Sequence, residues 1–384
     1  MLHEARESLL KVPLKWKVLQ EGLIERHIYI EKRILANKKQ INEIQRDRKN
    51  PERLLSKEDS LAAKNLIAYL EYQIEEYHWL RSCFKSVGDG IAFSFISRYD
   101  IKPQAFKEDA GFISGKSGFR AEKRFFKEAF ENGMIAILHD LTSVLRFRDI
   151  SIVDSEGYLP IEVKASKNRN KRVVRQEENS GKVFDYLQND ETDGLFDVKE
   201  KMKRVVMELD RDNHIPLLNR LIEKSSEKGY AGMEAEPGLY YLIGHKEDEF
   251  QKRFSEVIKL FKAPMVNFLN EKKFTNLGYF PFSLSIKDPI EYIRFLEGEM
   301  LIVILIDQSV MVKLAREHNF EMSTVLDSDG RVKFRSLVED GKVKEFSVSV
   351  QLLDRIPMEF NSLKKTFEEM FGRFSSENEF SFKD

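Results

Sequence analysis

From Leu14 to Arg48 the apolar positions recur at helical spacing: Leu19, Leu23, Ile24, Ile28, Ile30, Ile34, Leu35, Ile41 and Ile44, with Lys, Glu and Arg between them. That period predicts one long amphipathic helix. A polar stretch containing Pro51 follows, and Ser56-Lys57-Glu58-Asp59 places an acid three residues after a serine, the pattern of an N-terminal helix cap. Leu66, Ile67, Leu70, Ile74, Tyr77, Leu80 and Phe84 then mark a second helix over residues 60–86. Two long helices joined by a polar connection predict an antiparallel hairpin over 1–90. It is expected to serve either as a cap on its own protein or as an oligomerisation arm. Gly88, Asp89 and Gly90 are expected to break the second helix.

Beyond the hairpin the pattern changes. IAFSFISRY reads as an apolar helix or strand, and GFRAEKRFFKEAF (118–130) as a helix with Phe119, Phe125, Phe126 and Phe130 towards a core. MIAILHDLTSVLRFRDISIVD supplies strands, LPIEVKAS supplies another, and a helix is expected over Val173–Leu187. Helix, strand, strand, strand, helix is an α/β order. A second α/β region is expected after Asp190. Its strands begin near Gly238, Met300 and Phe346 (FSVSVQLL), and its helices lie near Glu247–Phe261, Ile290–Phe295 and Leu363–Phe374. The expected parts are thus 1–90, 91–195 and 196–384, with a frayed polar tail and no internal repeat.

Composition narrows the functional classes. The chain has 384 residues, 33% charged, with a formal net charge of -1. No global basic field draws it to nucleic acid, so any such binding needs a local patch. The one cysteine, Cys83, excludes disulfides within the chain and cysteine-cluster zinc sites, which suits a reducing cytoplasm. The N-terminal stretch has no apolar signal region. The most apolar run, Met300–Ile306, is too short to span a bilayer. A soluble cytoplasmic protein without a membrane partner is the expectation.

Candidate chemistry concentrates in Arg146–Lys164, RFRDISIVDSEGYLPIEVK. It reads as two strands around a turn that contains Gly157. Asp149 lies on the first strand, and Glu162 and Lys164 lie two apart on the second, so both point to one face. Two acids and a lysine on one face suit metal-dependent phosphodiester hydrolysis. Asp149 and Glu162 would hold magnesium or manganese, with the Val163 carbonyl as a third ligand. Lys164 would orient the attacking water or offset charge on the phosphorane. The apolar flanks of IEVKAS predict that Glu162 and Lys164 are partly buried.

At these residues the chain resembles the PD-(D/E)XK nuclease superfamily. Asp149 matches the first acid, and Glu162, Val163 and Lys164 match the E-x-K element. The resemblance covers roughly Gly118 to Asn189. It implies a restriction-endonuclease-like α/β core between the N-terminal helical hairpin and the C-terminal α/β domain. It also implies a metal-binding acid on the preceding helix, where Glu122 falls, and in some branches a catalytic glutamine on the following helix, where Gln176 falls. Arg148 stands where the motif has proline, and no tyrosine completes a Q-x-x-x-Y element. The implied activity is magnesium- or manganese-dependent DNA endonuclease cleavage. One site per chain cuts one strand, so a double-strand break calls for a homo-oligomer, with the hairpin as a candidate surface, or for repeated visits. A bacterial or phage defence role follows by analogy only.

A basic run follows the E-x-K element: Lys167, Arg169, Lys171, Arg172 and Arg175. Such a run would contact phosphates and place the scissile one. No aromatic residues interleave it, which favours duplex DNA over single strands. Two rival readings remain. Ala110–Ser117, AGFISGKS, fits a loose phosphate-loop pattern with Lys116 as its lysine, though the segment before it is polar and contains Pro103. Met300–Asp307 could supply a magnesium-binding Asp307 for the same nucleotide-hydrolysing switch. The other rival is a non-catalytic DNA-binding or assembly scaffold. Lys116 and Arg120 could instead touch DNA phosphates. The seven histidines show no metal spacing; His139 is expected to be structural, and His78 and His245 isolated.

Overall fold

In the computed structural model the described residues are 4–5, 11–50, 55–101, 111–116, 118–153, 157–163, 181, 185–186, 188–193, 202–203, 213–245, 247–271, 282–323, 331–336 and 345–376. The chain divides into two compact units, 1–205 and 206–384. Among the described residues no helix is long and apolar enough to cross a membrane.

The first unit opens with helices α1 (Pro13–Arg48) and α2 (Lys57–Phe95). Arg33 Nε donates to Tyr77 Oη and Asn37 Nδ2 to Gln73 Oε1, so the partners advance in opposite directions and the hairpin is antiparallel. Ser56 caps α2 as its sequence predicts, its Oγ accepting the Asp59 N–H at 3.0 Å. Towards its tip the hairpin closes on Ile30, Ile34, Ile41, Ile67, Leu70 and Ile74. Its base does not stand apart. Trp16, Leu23, Ile24, Ile91 and Ala92 share one core with Phe119, Phe126 and Ile135–Leu138 of the α/β region.

The expected break at Gly88-Asp89-Gly90 does not occur, because α2 runs through all three to Phe95. The helix passes so close to the following segment that a Cβ on Gly88 would stand 2.0 Å from the Leu141 carbonyl oxygen. Asp89 is buried and accepts the Ser143 and Val144 N–H groups at 2.6 and 3.2 Å. These tertiary contacts outweigh a propensity cost of about 1 kcal/mol for a helical glycine.

Helix α3 (Arg98–Ile101) leads on to α4 (Phe119–Glu131), strand β1 (Ile135–Leu138), a 3-10 turn (His139–Leu141), β2 (Ile150–Val153) and β3 (Tyr158–Ile161). The strands form an antiparallel sheet in the order β1-β2-β3. Ile150 pairs with Ile161 and Ile135 with Val153. On α4 the buried positions are Phe119, Glu122, Phe126 and Ala129, one face of the helix with a carboxylate in its middle. Two short strands, β4 (Glu191–Thr192) and β5 (Met202–Lys203), pair near the end of the unit. Most of the expected helix 173–187 lies outside the described residues.

The second unit holds α5 (Ile215–Lys228) beside an antiparallel sheet ordered β6-β7-β9-β8, made of β6 (Tyr230–Glu236), β7 (Leu239–Gly244), β8 (Pro264–Phe268) and β9 (Leu301–Asp307). Helices α6 (Glu247–Val257), α7 (Phe282–Ser285), α8 (Pro289–Glu297) and α9 (Gln308–Glu317) interleave with it. A second sheet, β10 (Phe320–Met322), β11 (Arg331–Ser336) and β12 (Glu345–Ser349), is also antiparallel. FSVSVQLL is not one strand. The strand stops at Ser349, and α10 (Val350–Glu359) begins at once, burying Leu353 and Ile356 on a three-residue spacing. Helix α11 (Leu363–Ser376) closes the described chain.

Candidate functional site

Three carboxylates from three different elements meet at one point in the first unit. Glu122 arrives from the buried face of α4, Asp140 from the 3-10 turn that ends β1, and Asp149 from the position just before β2. The Lys116 ammonium lies at their centre. Its Nζ is 2.7 Å from Asp140 Oδ2, 2.9 Å from Glu122 Oε1 and 3.6 Å from Asp149 Oδ1. The sheet explains the convergence, because β1 and β2 are antiparallel neighbours. The end of one therefore lies beside the start of the other, and the His139 N–H donates to the Asp149 carbonyl at 3.0 Å.

The second half of the predicted motif joins at Asp149. Its N–H donates to the Ile161 carbonyl at 3.1 Å, and its Oδ2 accepts the Val163 N–H at 2.9 Å. Asp149 thus presents Oδ1 to the cluster while Oδ2 is tied to the chain leaving β3. The residue before it, Arg148, has a φ of +66°. Proline, which fixes φ near about −65°, cannot occupy that conformation. The proline missing from the motif is therefore excluded by this backbone.

Lys116 is held in place from behind. The Ile113 and Ser114 N–H groups donate to Glu31 of α1 at 3.1 and 2.7 Å, and that carboxylate is buried. Arg81 of α2 lies 3.5 Å from the same carboxylate, and its Nη2 donates to the Gly111 carbonyl. The hairpin therefore fixes the backbone that carries Lys116, while the lysine side chain itself is 34% exposed.

The electrostatics follow from burial. Glu122 is 1% exposed, and that burial pushes its carboxyl up to about 7 against the pull of Lys116, with repulsion from Asp149 and Asp140 adding to the rise. Burial acts to lower the Lys116 ammonium, but Asp140 and Glu122 outweigh it and hold the group above its ordinary range. Three carboxylates against one ammonium leave two formal negative charges when all are ionised. The Glu122 Oε2 atom is buried with no hydrogen-bond partner.

Hard oxygen donors with surplus negative charge fit a magnesium-type ion. At present the oxygens stand at ammonium distances rather than the roughly 2.0–2.6 Å of such an ion. Among the described residues no group of three or more His, Cys, Asp or Glu side chains is drawn together closely enough to hold a metal.

The predicted residues fall unevenly. The structure brings together Glu122, Asp149 and Val163, the last through its N–H to Asp149. Asp149 is not within the strand, as expected, but one residue before it. Glu162 is exposed rather than partly buried, one residue past the end of β3, which is the outer strand of this sheet among the described residues. Lys164, Gln176 and the basic run Lys167, Arg169, Lys171, Arg172 and Arg175 lie outside the described residues. Two members of the cluster were not predicted there. Asp140 carries only the signal of an acid two residues past an apolar strand, and Lys116 stands in the sequence only in a rival phosphate-loop pattern or as a contact to DNA phosphates.

The rival motifs are accounted for locally. Lys116 is spent on carboxylates. The Asp307 carboxylate accepts the N–H groups of Lys262, Ala263 and Ser309, which caps α9 and ties down a neighbouring loop. His139 is buried with its Nε2 2.7 Å from Ser151 Oγ, a structural placement. His245 is not isolated. Its Nε2 lies 3.1 Å from Ser225 Oγ and 3.5 Å from Glu291 Oε2. A hydrolytic triad needs the acid on the other ring nitrogen, so this cluster lacks that relay.

Comparisons with protein-family models, with curated proteins and with solved structures found no match to this chain.

Proposed function

We propose that the chain is a divalent-metal-dependent nuclease acting on DNA, with a restriction-endonuclease-like core formed by α4 and β1–β3. The observation that carries this reading is the convergence of Glu122, Asp140 and Asp149 on one point, beside the Glu162–Val163 segment that hydrogen-bonds to Asp149. A helix that carries a buried acid and precedes the acid-bearing strand, with the E-x-K segment on the strand after it, is the order that the resemblance implies.

In this reading Glu122, Asp140 and Asp149 would hold magnesium or manganese, with Glu162 reaching in from the rim. The ion supplies an activated water and charge stabilisation at the phosphate. Asp149 is positioned for its part by three backbone hydrogen bonds, through its N–H, its carbonyl and its Oδ2. Lys164 follows the same segment and would orient the water. Lys167, Arg169, Lys171, Arg172 and Arg175 would hold the flanking phosphates of duplex DNA, with Gln176 beyond them.

The test is cleavage of supercoiled plasmid with magnesium by purified wild type and by Asp149→Asn, Glu162→Gln and Lys164→Ala. Loss of cleavage in all three, with unchanged melting, is the expected result. Full cleavage by Asp149→Asn removes the proposal. Duplex, single-stranded and RNA substrates assayed together define the preference.

A further inference from the structure

We infer that Lys116 is the resident cation of this site, and that a divalent ion binds by displacing its ammonium from the carboxylates. The inference deepens the nuclease reading and rests on it. Four observations support it. First, Lys116 Nζ occupies the point on which Glu122, Asp140 and Asp149 converge, at 2.9, 2.7 and 3.6 Å. An ammonium and a divalent ion cannot share one position among the same oxygens. Second, without a cation three carboxylates from three elements would repel one another at close quarters, so Lys116 keeps the site assembled. Third, the Lys116 backbone is fixed. Ile113 and Ser114 are held by Glu31, and the Phe119 N–H donates to the Lys116 carbonyl at 3.2 Å. Fourth, the side chain has somewhere to go. It is 34% exposed while Glu122 beneath it is buried, so rotation about the lysine stem takes the ammonium into water.

The consequence is a site whose metal affinity is set by an internal competitor. Removing the ammonium while keeping the stem, as in Lys116→Met, removes the competition. It also removes what holds the carboxylates together when no ion is present.

The experiment measures manganese binding to the full chain by isothermal titration and by the loss of the free manganese paramagnetic signal, without reference to cleavage. Lys116→Met and Lys116→Gln should bind manganese at least roughly tenfold more tightly than wild type. Both should melt at a lower temperature than wild type without metal and regain that loss when manganese is added. Asp149→Asn should abolish binding in either background. Wild-type protein provides a second measurement if the variants fold poorly. Saturating magnesium should raise the acetylation rate of Lys116, read by peptide mass spectrometry, and leave that of exposed Lys39 unchanged.

Equal or weaker manganese binding by both variants, or an unchanged Lys116 acetylation rate in a wild type that does bind the ion, would overturn the displacement. Absence of Asp149-dependent binding in wild type and variants alike strikes instead at the nuclease reading, and the inference falls with it.

Discussion

Gly88 of α2 lies against the backbone of Leu141 so closely that a Cβ there would be 2.0 Å from the Leu141 carbonyl oxygen and 2.8 Å from its carbonyl carbon. Both partners are backbone, so no side-chain rotation relieves the contact. Leu141 ends the 3-10 turn that carries Asp140. Gly88→Ala should therefore cost about 2 kcal/mol or more, despite alanine's better helix propensity. It should also weaken the carboxylate cluster by shifting Asp140. Urea denaturation gives the first quantity and manganese titration the second. A variant as stable as wild type would show that α2 and the turn do not touch.

The same dependence of sheet on hairpin appears at Gln20. Its Nε2 donates to the Ala136 carbonyl at 2.7 Å, and its Oε1 accepts the Leu138 N–H at 3.0 Å. Gln20 is fully buried, and β1 is an outer strand of its sheet among the described residues. One side chain thus satisfies an edge that would otherwise be left unpaired in the core. Gln20→Met keeps the shape and removes both bonds. It should cost about 2–5 kcal/mol in urea denaturation, since two buried backbone groups lose their partners. A cost below about 1 kcal/mol would mean that water replaces the side chain.

These two contacts show what the sequence could and could not reveal. The hairpin was legible because periodicity and caps are local: Ser56 caps α2 as its spacing predicts. Strands β1, β2, β3, β7 and β9 were legible from apolar runs, and the resemblance pointed to Glu122, which the structure places beside Asp149. Strands β6, β8, β10 and β11 and the sheet orders were not legible, because their short or polar-interrupted runs find partners only across the chain. The passage of α2 through Gly88-Asp89-Gly90 was not legible, because its cause lies at Leu141 and Ser143. The junction of β12 and α10 was hidden because an apolar run reads alike as a strand or a buried helix. Asp140 and Lys116 were missed for one reason. Each belongs to the site through the antiparallel pairing of β1 with β2 and the anchoring of a loop by Glu31, neither of which leaves a local pattern.

Asp140 is accordingly the residue on which structure and motif differ most usefully. It contacts Lys116 at 2.7 Å, the shortest of the three approaches. Asp140→Asn should lower magnesium-dependent plasmid cleavage by roughly 10–100-fold. The melting temperature should change little, because asparagine keeps the shape of the side chain and the lost ion pair with Lys116 is offset by weaker repulsion from Glu122 and Asp149. Cleavage at the wild-type rate would confine the site to Glu122, Asp149 and the E-x-K segment.

Two buried groups in the first unit give opposite pH dependences. Burial, helped by Arg81 and Lys85, pushes His27 down to about 4, and neither ring nitrogen has a hydrogen-bond partner. A depressed folded value means that this contribution is fully present above the unfolded 6.5 and is lost as pH falls towards 4. Burial pushes Asp89 up to about 6 against the hydrogen bonds from Ser143 and Val144. A raised folded value means the reverse: its contribution is present below 3.8 and is lost as pH rises towards 6. Each window corresponds to about 3 kcal/mol, so the two oppose each other between pH 4 and 6. In His27→Leu only the Asp89 trend remains. The stability difference between wild type and His27→Leu should therefore shift by about 3 kcal/mol in favour of wild type from pH 4 to 6.5. Urea midpoints at four pH values measure it, and a constant difference would mean that His27 does not stay neutral in the folded protein.

Arg148 separates this backbone from the motif it resembles. Its φ of +66° is a left-handed conformation, which costs a non-glycine residue about 1–2 kcal/mol. That conformation delivers the next residue, Asp149, to the His139 N–H and the Ile161 carbonyl. Glycine adopts it freely, so Arg148→Gly should keep both cleavage and a stability within about 1 kcal/mol of wild type, relief of strain offsetting the greater freedom of the unfolded chain. Proline would restore the residue that the motif carries, yet its ring fixes φ on the opposite side. Arg148→Pro should cost about 3 kcal/mol or more, and cleavage should be lost as Asp149 leaves its three backbone hydrogen bonds. Melting curves and plasmid cleavage run on both variants decide the matter. If Arg148→Pro instead folds and cuts like wild type, the chain enters β2 in the motif's usual conformation and the left-handed turn has no part in placing Asp149.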